Sequence, residues 1–376
     1  MLPPPQAAQI LAITDDLPIR HHTLHKGKVR ALYHLSTEDS ARLIQSRGYN
    51  VPLTQPLGVM VTSDRLSAFD CVWHAEGGLY GVPNKGAALN AIAYHLFERL
   101  QEADIAQHHI LEAPHPLVWI VCIAKPLRFE GIFRRYITGS LWRAYQQGQR
   151  HLYGVHLPDE LQHNQPFPAL LFTPSTKGTL HGLQGIPETE DAPIRPDQIR
   201  EHYDAFGLPS PDVLDHVQDI LQKSFLFLEK SYKQIGQILV DTKFELGMLQ
   251  TSSDSPTLIL MDEIGTPDAS RIWDQEAYQR GEIFDYCKEH FRQTLLHHLD
   301  RDLLLDSSRL SERKAYAAQH PLPLAWWLDV SQRYATLAQK LIGRPLPSIH
   351  DARAEILESL AQMDLLLARP NPRKDR

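Results

Sequence analysis

Cysteine is scarce in this chain: Cys71, Cys122 and Cys287 are the only three in 376 residues, widely spaced and without a Cys-x-x-Cys pair. That argues against a disulfide framework and against a zinc ribbon, and fits a reducing cytoplasm. Long apolar runs are missing too. The longest, Leu117 to Ala124, is far too short to span a bilayer, and the start MLPPPQAAQILAI has prolines where a signal peptide needs basic residues. A cytoplasmic protein with no membrane contact is expected. Basic runs are absent as well: 38 Lys and Arg stand against 45 Asp and Glu, a net charge of −7, which disfavours nucleic acid as a partner. There is no G-x-x-x-x-G-K-[ST], no G-x-G-x-x-G and no H-E-x-x-H, so any nucleotide is held by another device. The twenty histidines include the pairs His21–His22, His108–His109 and His297–His298, read as surface residues, since none has zinc-ligand spacing.

What is present is a globular composition, 43% apolar and 22% charged, in a length that predicts two or three domains. The row KGKVRALYHL (26–35) reads as a glycine turn feeding a strand, Val59 to Ser63 as a second strand and Leu117 to Ile123 as a buried one. Apolar spacing predicts a helix over Ala87 to Leu100, entered from Pro83, Asn84, Lys85 and Gly86. Phe129 to Ile137 carries the adjacent arginines Arg134 and Arg135. Residues 148 to 196 hold no long periodic segment, which suggests a functional lid or active-site loop. A helix is expected from about Pro211 to Ile235. Then come two strands, Gln237 to Gly247 and Thr257 to Gly265, forming a hairpin that turns near Ser253. Beyond Glu289 the pattern is helical, ending in a solvated tail, RPNPRKDR.

The chemistry concentrates in that hairpin. Side chains alternate along a strand, so Asp241, Lys243 and Glu245 share one face. With a turn near Ser253, Glu245 and Asp262 lie roughly opposite each other, and two carboxylates so placed repel unless something compensates. A hard cation such as Mg²⁺, which takes one or two carboxylates plus phosphate oxygens, is one answer. A solvent-facing hairpin in which Lys243 simply pairs with its acidic neighbours is the other. Arg271, just downstream, and Arg134, next to the Thr138–Gly139–Ser140 turn, add guanidinium groups suited to phosphate or carboxylate. The Gly27–Lys28 turn is the candidate phosphate cover.

These segments together resemble one family, the SAICAR synthetases. The resemblance is carried by GKVR (27–30), TSDRLSAFD (62–70), NKG (84–86), RRYITGSLWRAY (134–145), FTPSTK (172–177), VDTKFELG (240–247) and MDEIGTPDASRIW (261–273), with LPLAWWLDVSQRYATLAQKLIG (322–343) as a closing helix. It implies a ligase that joins the carboxylate of carboxyaminoimidazole ribotide (CAIR) to the amino group of L-aspartate, splitting ATP to ADP and phosphate, in de novo purine biosynthesis. It also implies a mixed α+β, two-lobed fold related to ATP-grasp and kinase-like architectures, with added C-terminal helices. Its expected parts are a β-rich N-terminal lobe (1–125), an α+β lobe for ATP, Mg²⁺ and ribotide (126–297) and a C-terminal helical segment (298–376), in a monomer or homodimer.

By motif position the resemblance assigns Gly27, Lys28, Arg30, Lys125 and Glu130 to ATP, with Glu130 near the adenine-binding connection. It assigns Glu245 and Asp262 to Mg²⁺, and Lys243 and Asp241 to the reacting groups. Arg134, Ser140 and Arg271, with Ser270, fall at ribotide positions, while Asp64, Ser67, Lys85, Lys177 and Asp191 fall on the substrate side. Cys122 and Ile123 stand where the family often has lysine, so one expected nucleotide contact is either absent or replaced by Lys125, and GTLHGLQGIPETEDAPI stands in place of a short family motif after Lys177. Two alternatives remain: a catalytically altered nucleotide-binding homologue, and another kinase or amide ligase on the same scaffold.

Overall fold

The computed structural model describes residues 7–250 and 256–367. The expected hairpin turn at Ser253, the N-terminal prolines and the RPNPRKDR tail lie outside them.

Two β-sheets form the frame. The first is antiparallel throughout, in the order Thr23–Lys26, Arg30–His34, Leu57–Thr62, Val118–Cys122, Ile110–His115. The glycine turn lies between its first two strands, closed by the Gly27 amide donating to the Arg30 carbonyl at 2.7 Å. The second sheet is organised by one 13-residue strand, Gln237–Leu249. Its first half pairs with Phe129–Tyr136 and Ser270–Asp274, and its second half with Thr257–Met261 and Lys125–Pro126. Only a few residues, Cys122 to Lys125, link one sheet to the other. A second bridge runs through His109, whose amide donates to Leu260 at 3.2 Å and whose carbonyl accepts from the Cys122 amide at 2.7 Å.

The helix expected over 87–100 spans Lys85–Glu102, and it buries Leu89, Ile92, Leu96, Phe97 and Leu100 at three- and four-residue spacing. It packs on the closing helix Leu324–Ile342 and also touches the strand Leu57–Thr62 and the helix Val213–Gln234. Val213–Gln234, expected from 211 to 235, covers the long strand. The C-terminal residues are shared out: Trp327, Val330 and Tyr334 join the main core, while Ile356, Leu360 and Leu365 join a second core with Tyr33, Val59, Val61, Val118 and Ile120 of the first sheet.

Two sequence expectations need correction. The stretch 148–196 contains a seven-residue strand, Pro166–Phe172, which pairs with Phe129–Tyr136. Its prolines, at the start and third position, hid it, and both are tolerated because it forms the edge of the sheet. In the hairpin, Glu245 faces Met261 rather than Asp262. Asp262 lies one residue past the end of its strand with a left-handed backbone, φ 57°, so the alternation read from sequence stops there.

Candidate active site

The face of the long strand that carries Asp241, Lys243 and Glu245 is the centre of the site, as alternation predicts. Around it lies a network of charges that no single segment reveals. The Lys243 ammonium donates to Glu130 at 2.8 Å and to Glu245 at 3.0 Å. Lys177 pairs with the other Glu245 oxygen. Arg30 bridges Asp262 at 3.1 Å and Glu263 at 2.9 Å. The carboxylates therefore do not face each other uncompensated: each has cations of this chain beside it. Burial works against charge on Asp262, but Arg30, Lys243 and Lys177 outweigh it and hold the carboxyl below its ordinary range. Burial likewise opposes charge on Lys243, and Glu130 and Asp262 overcome it, so its pKa is raised. Lys177 goes the other way, because burial prevails. Four carboxylates (Glu130, Glu245, Asp262, Glu263) meet three cations (Arg30, Lys177, Lys243), a formal excess of one negative charge.

One cavity, of about 470 Å³, opens from this network toward the joint between the sheets. Its lining is largely apolar, with Leu32, Met60, Val121 and Met261, and includes Gly27 and Arg30. Arg30 Nε and Nη2 are buried without a partner among the described residues, and Arg30 lines the slot. Cys122 also lines it, its thiol pushed up to about 12 by burial and thus inert. Lys125 lies on an adjoining pocket that shares Pro126 and Lys177 with the slot. Lys28 is exposed at the turn and paired with Asp70.

A second cavity, of about 630 Å³, is lined by Thr138, Gly139, Arg271, Glu289 and Arg333 among others. Asp241 gathers its arginines: one carboxylate oxygen accepts from Arg134 at 2.9 Å and from Arg271 at 2.6 Å. The adjacent arginines part as strand alternation requires, Arg134 to Asp241 and Thr173, Arg135 to Glu229 on the covering helix. Gly139 has φ 60°, and any Cβ there would collide with the Arg271 guanidinium, so glycine is what lets Arg271 lie against the start of the helix that carries Ser140. Arg271 Nε is buried and unpartnered among the described residues.

The remaining sequence candidates scatter. Glu130 lies in the charge network with Lys243, not on the apolar walls of the slot. Ser270 is turned away from the Asp241 face, its hydroxyl 2.7 Å from that of Thr242. Asp64 is buried and accepts the Leu11 and Gly86 amides, both at 2.8 Å; burial raises its pKa to about 6. Lys85 is wholly buried and pairs with Asp268 at 2.8 Å, which Tyr334 and Lys288 also reach. Ser67 is buried on the short strand Leu66–Ala68. Asp191, with φ 53°, is carried back toward the site by the loop that bridges Ser175 to Pro193. Burial and Glu130 raise its pKa.

His109 escaped the sequence reading. The pairs His21–His22 and His297–His298 are exposed as expected, but His109 is 3% exposed and lines the slot. Burial drives its pKa down to about 3, so the ring is neutral. His108 is not a surface residue either, its side chain being 4% exposed; a histidine pair without metal-ligand spacing carries no signal that both side chains turn inward.

An apolar-walled slot, a separate arginine-lined cavity and a network of buried carboxylates and cations are the features of an enzyme that handles charged substrates, and comparison with known proteins narrows the class. The SAICAR synthetase family model matches residues 23–301, and the chain belongs to that family. It is 48% identical to the phosphoribosylaminoimidazole-succinocarboxamide synthase of Vibrio cholerae over 356 residues, 94% of this chain and 97% of that protein. To the enzyme of that name from Saccharophagus degradans it is 48% identical over 95% of this chain and 98% of the relative. Among solved structures, the fold is like that of the Saccharomyces cerevisiae SAICAR synthase complexed with SAICAR (TM-score 0.62, 24% identity, 86% of this chain and 95% of that one). It is also like that of a type-2 SAICAR synthetase in complex with ADP (TM-score 0.54, 17% identity, 86% and 99%).

Proposed function

We propose that this chain condenses CAIR with L-aspartate to SAICAR at the expense of ATP, a step of de novo purine biosynthesis. The observation that supports the reading is the pair of arginines, Arg30 and Arg271, each with a buried donor unpartnered among the described residues and each lining a different cavity. One cavity suits a nucleotide: apolar walls for a base, Gly27, Lys28 and Arg30 for phosphates. The other suits the ribotide, whose phosphate Arg271 and Arg134 would hold with the Gly139–Ser140 helix start. The two-lobed division near residue 125, with the slot at the joint, supports the relation to ATP-grasp and kinase-like architectures, and the segment from 298 onward braces both lobes.

A carboxylate is a poor acyl donor. Transfer of the γ-phosphoryl group to the CAIR carboxylate, with ADP leaving, activates it; the aspartate amine then attacks the carbonyl carbon, loses a proton and expels phosphate. This chain contributes mainly position and neutralisation. Lys243 and Lys177 stand where charge changes hands, and Asp241 keeps the two arginines aligned.

The donor set fits Mg²⁺. Among the described residues no group of three or more His, Cys, Asp or Glu is arranged as a metal cage. A cation held by Glu245 and Asp262 and completed by phosphate oxygens needs no cage, and the excess negative charge favours it. When bound, it would neutralise the phosphates during transfer. Replacing Glu245→Gln or Asp262→Asn is expected to lower turnover by about a hundredfold or more while leaving the unfolding transition in place. Wild-type turnover in either variant would overturn the metal assignment.

A further inference from the structure

The arginines given above to the ribotide phosphate are already matched by carboxylates. Arg134 and Arg271 share one oxygen of Asp241, at 2.9 and 2.6 Å. Glu289 lies 3.6 Å from Arg271 and 3.2 Å from Arg292. Arg333, in the cavity wall, pairs with Asp329 at 2.8 Å. Asp285 lines the same wall and has no ion pair among the described residues. These four guanidinium groups and four carboxyls sum to a formal charge of zero. A phosphate monoester brings close to two negative charges at neutral pH, and desolvating them is costly unless cations without other partners meet them. His163 and His290 do not supply that charge, because burial lowers the pKa of both.

Two arginines of the cavity have no other partner: Arg143 and Arg301 make no hydrogen bond or ion pair among the described residues. Arg143 follows Gly139 by four residues on the helix Gly139–Gln146, which puts both on one face, and both line the cavity. Arg301 opens the helix Arg301–Leu305, whose Leu305, again four residues on, lines the cavity too. That short helix is held at both ends. The Asp300 carboxylate accepts the Asp302 and Leu303 amides at 2.9 and 3.2 Å. Arg313, 4% exposed, donates to the carbonyls of Leu303, Leu304 and Asp306 at 3.2, 2.9 and 3.2 Å. The C-terminal segment therefore presents Arg301 to the cavity from a fixed support.

We propose that Arg143 and Arg301 supply the uncompensated positive charge that holds the ribotide phosphate, so that the enzyme selects the phosphorylated ribotide over the bare riboside. Arg134 and Arg271, balanced by Asp241 and Glu289, set the direction of the phosphate rather than carry its charge. This rests on the reading of the cavity as the ribotide site.

The test follows ADP release in steady state with CAIR and with its dephosphorylated riboside, for the wild type, Arg143→Gln, Arg301→Gln and the double variant. Both side chains are exposed, so folding is expected to be untouched. Each single change is expected to raise KM for CAIR about tenfold, and the double variant more than either, while KM for ATP and for L-aspartate hold. With the riboside the variants match the wild type. Added potassium chloride raises KM for CAIR less steeply in the double variant than in the wild type, because fewer charges are left to screen. That comparison carries the test by itself if the riboside is not turned over. An unchanged KM for CAIR in the double variant overturns the proposal, as do equal losses with CAIR and riboside or an equal salt dependence in variant and wild type. Arg271→Gln separates the two readings. If it raises KM for CAIR while the double variant does not, the cavity is still the ribotide site and only the role of Arg143 and Arg301 falls. If neither raises it, the reading of the cavity has failed, and this inference with it.

Discussion

At the scale of single residues, this site depends on carboxylates whose surroundings push them in opposite directions. Asp262 is buried yet held below its ordinary range by Arg30, Lys243 and Lys177, and so stays available as an anion. Asp64 is buried with only backbone amides close by and a more distant lysine, and burial lifts it to about 6. Its sign follows from linkage: a folded pKa above the unfolded one means that the folded chain takes up a proton first. Asp64 therefore adds stability at low pH, and that contribution is lost as pH rises through about 6. Between pH 7.5 and pH 5 the gain is on the order of 1 kcal/mol. Asp64→Asn is expected to flatten this part of the pH–stability curve, measured by urea unfolding at the two pH values. An unchanged slope in the variant would show that Asp64 is already charged throughout. Which residues share a face was legible in the sequence at this scale, since alternation alone puts Asp241, Lys243 and Glu245 together. Their partners were not legible. Arg134 reaches Asp241 across 107 positions of chain, and Asp262 departs from alternation because a single left-handed residue ends the pattern.

At the scale of elements, the strongly periodic segments fall within two residues of where the pattern puts them: Lys85–Glu102 for the helix expected over 87–100, Val213–Gln234 for 211–235, Val118–Cys122 for the buried strand. Short edge elements escape such reading. Pro166–Phe172 carries two prolines and owes its strand state to its neighbour, a tertiary effect that no local pattern encodes. The destination of the C-terminal helix was equally hidden. Ala352–Gln362 places Ile356 and Leu360, both fully buried, in the second core with Leu17, Ile19 and Tyr33. The chain ends are also tied directly, by the Leu367 amide donating to Pro18 at 2.8 Å and by Arg20 pairing with Asp364 at 3.1 Å. That makes the helix part of the lobe that carries the glycine turn. Ile356→Ala is expected to cost about 2–5 kcal/mol in urea unfolding, whereas Glu358→Ala on the exposed face stays within about 0.5 kcal/mol. Equal effects from the two variants would mean that the helix rests on the lobe without supporting it.

At the scale of the whole molecule, two sheets meet through a short connection and through His109, and the apolar-walled slot opens at that joint. The arginine-lined cavity at Gly139 and Arg271 is a separate one, sharing no lining residue with the slot. Arg30 and Arg271 thus face different cavities while Asp241, Lys243 and Glu245 run between them on one strand face. The family was legible in the sequence because its motifs are spread over the chain in order. The separation of the two cavities was not, because it depends on which side of the strand each arginine approaches.

The most direct test of this account is ADP release by the purified protein supplied with Mg-ATP and CAIR, with and without L-aspartate, followed by mass detection of the amide. The account predicts ADP release that depends on aspartate, with one SAICAR formed for each ADP. Sustained ADP release without aspartate, or ATP binding with no amide formed, would contradict it.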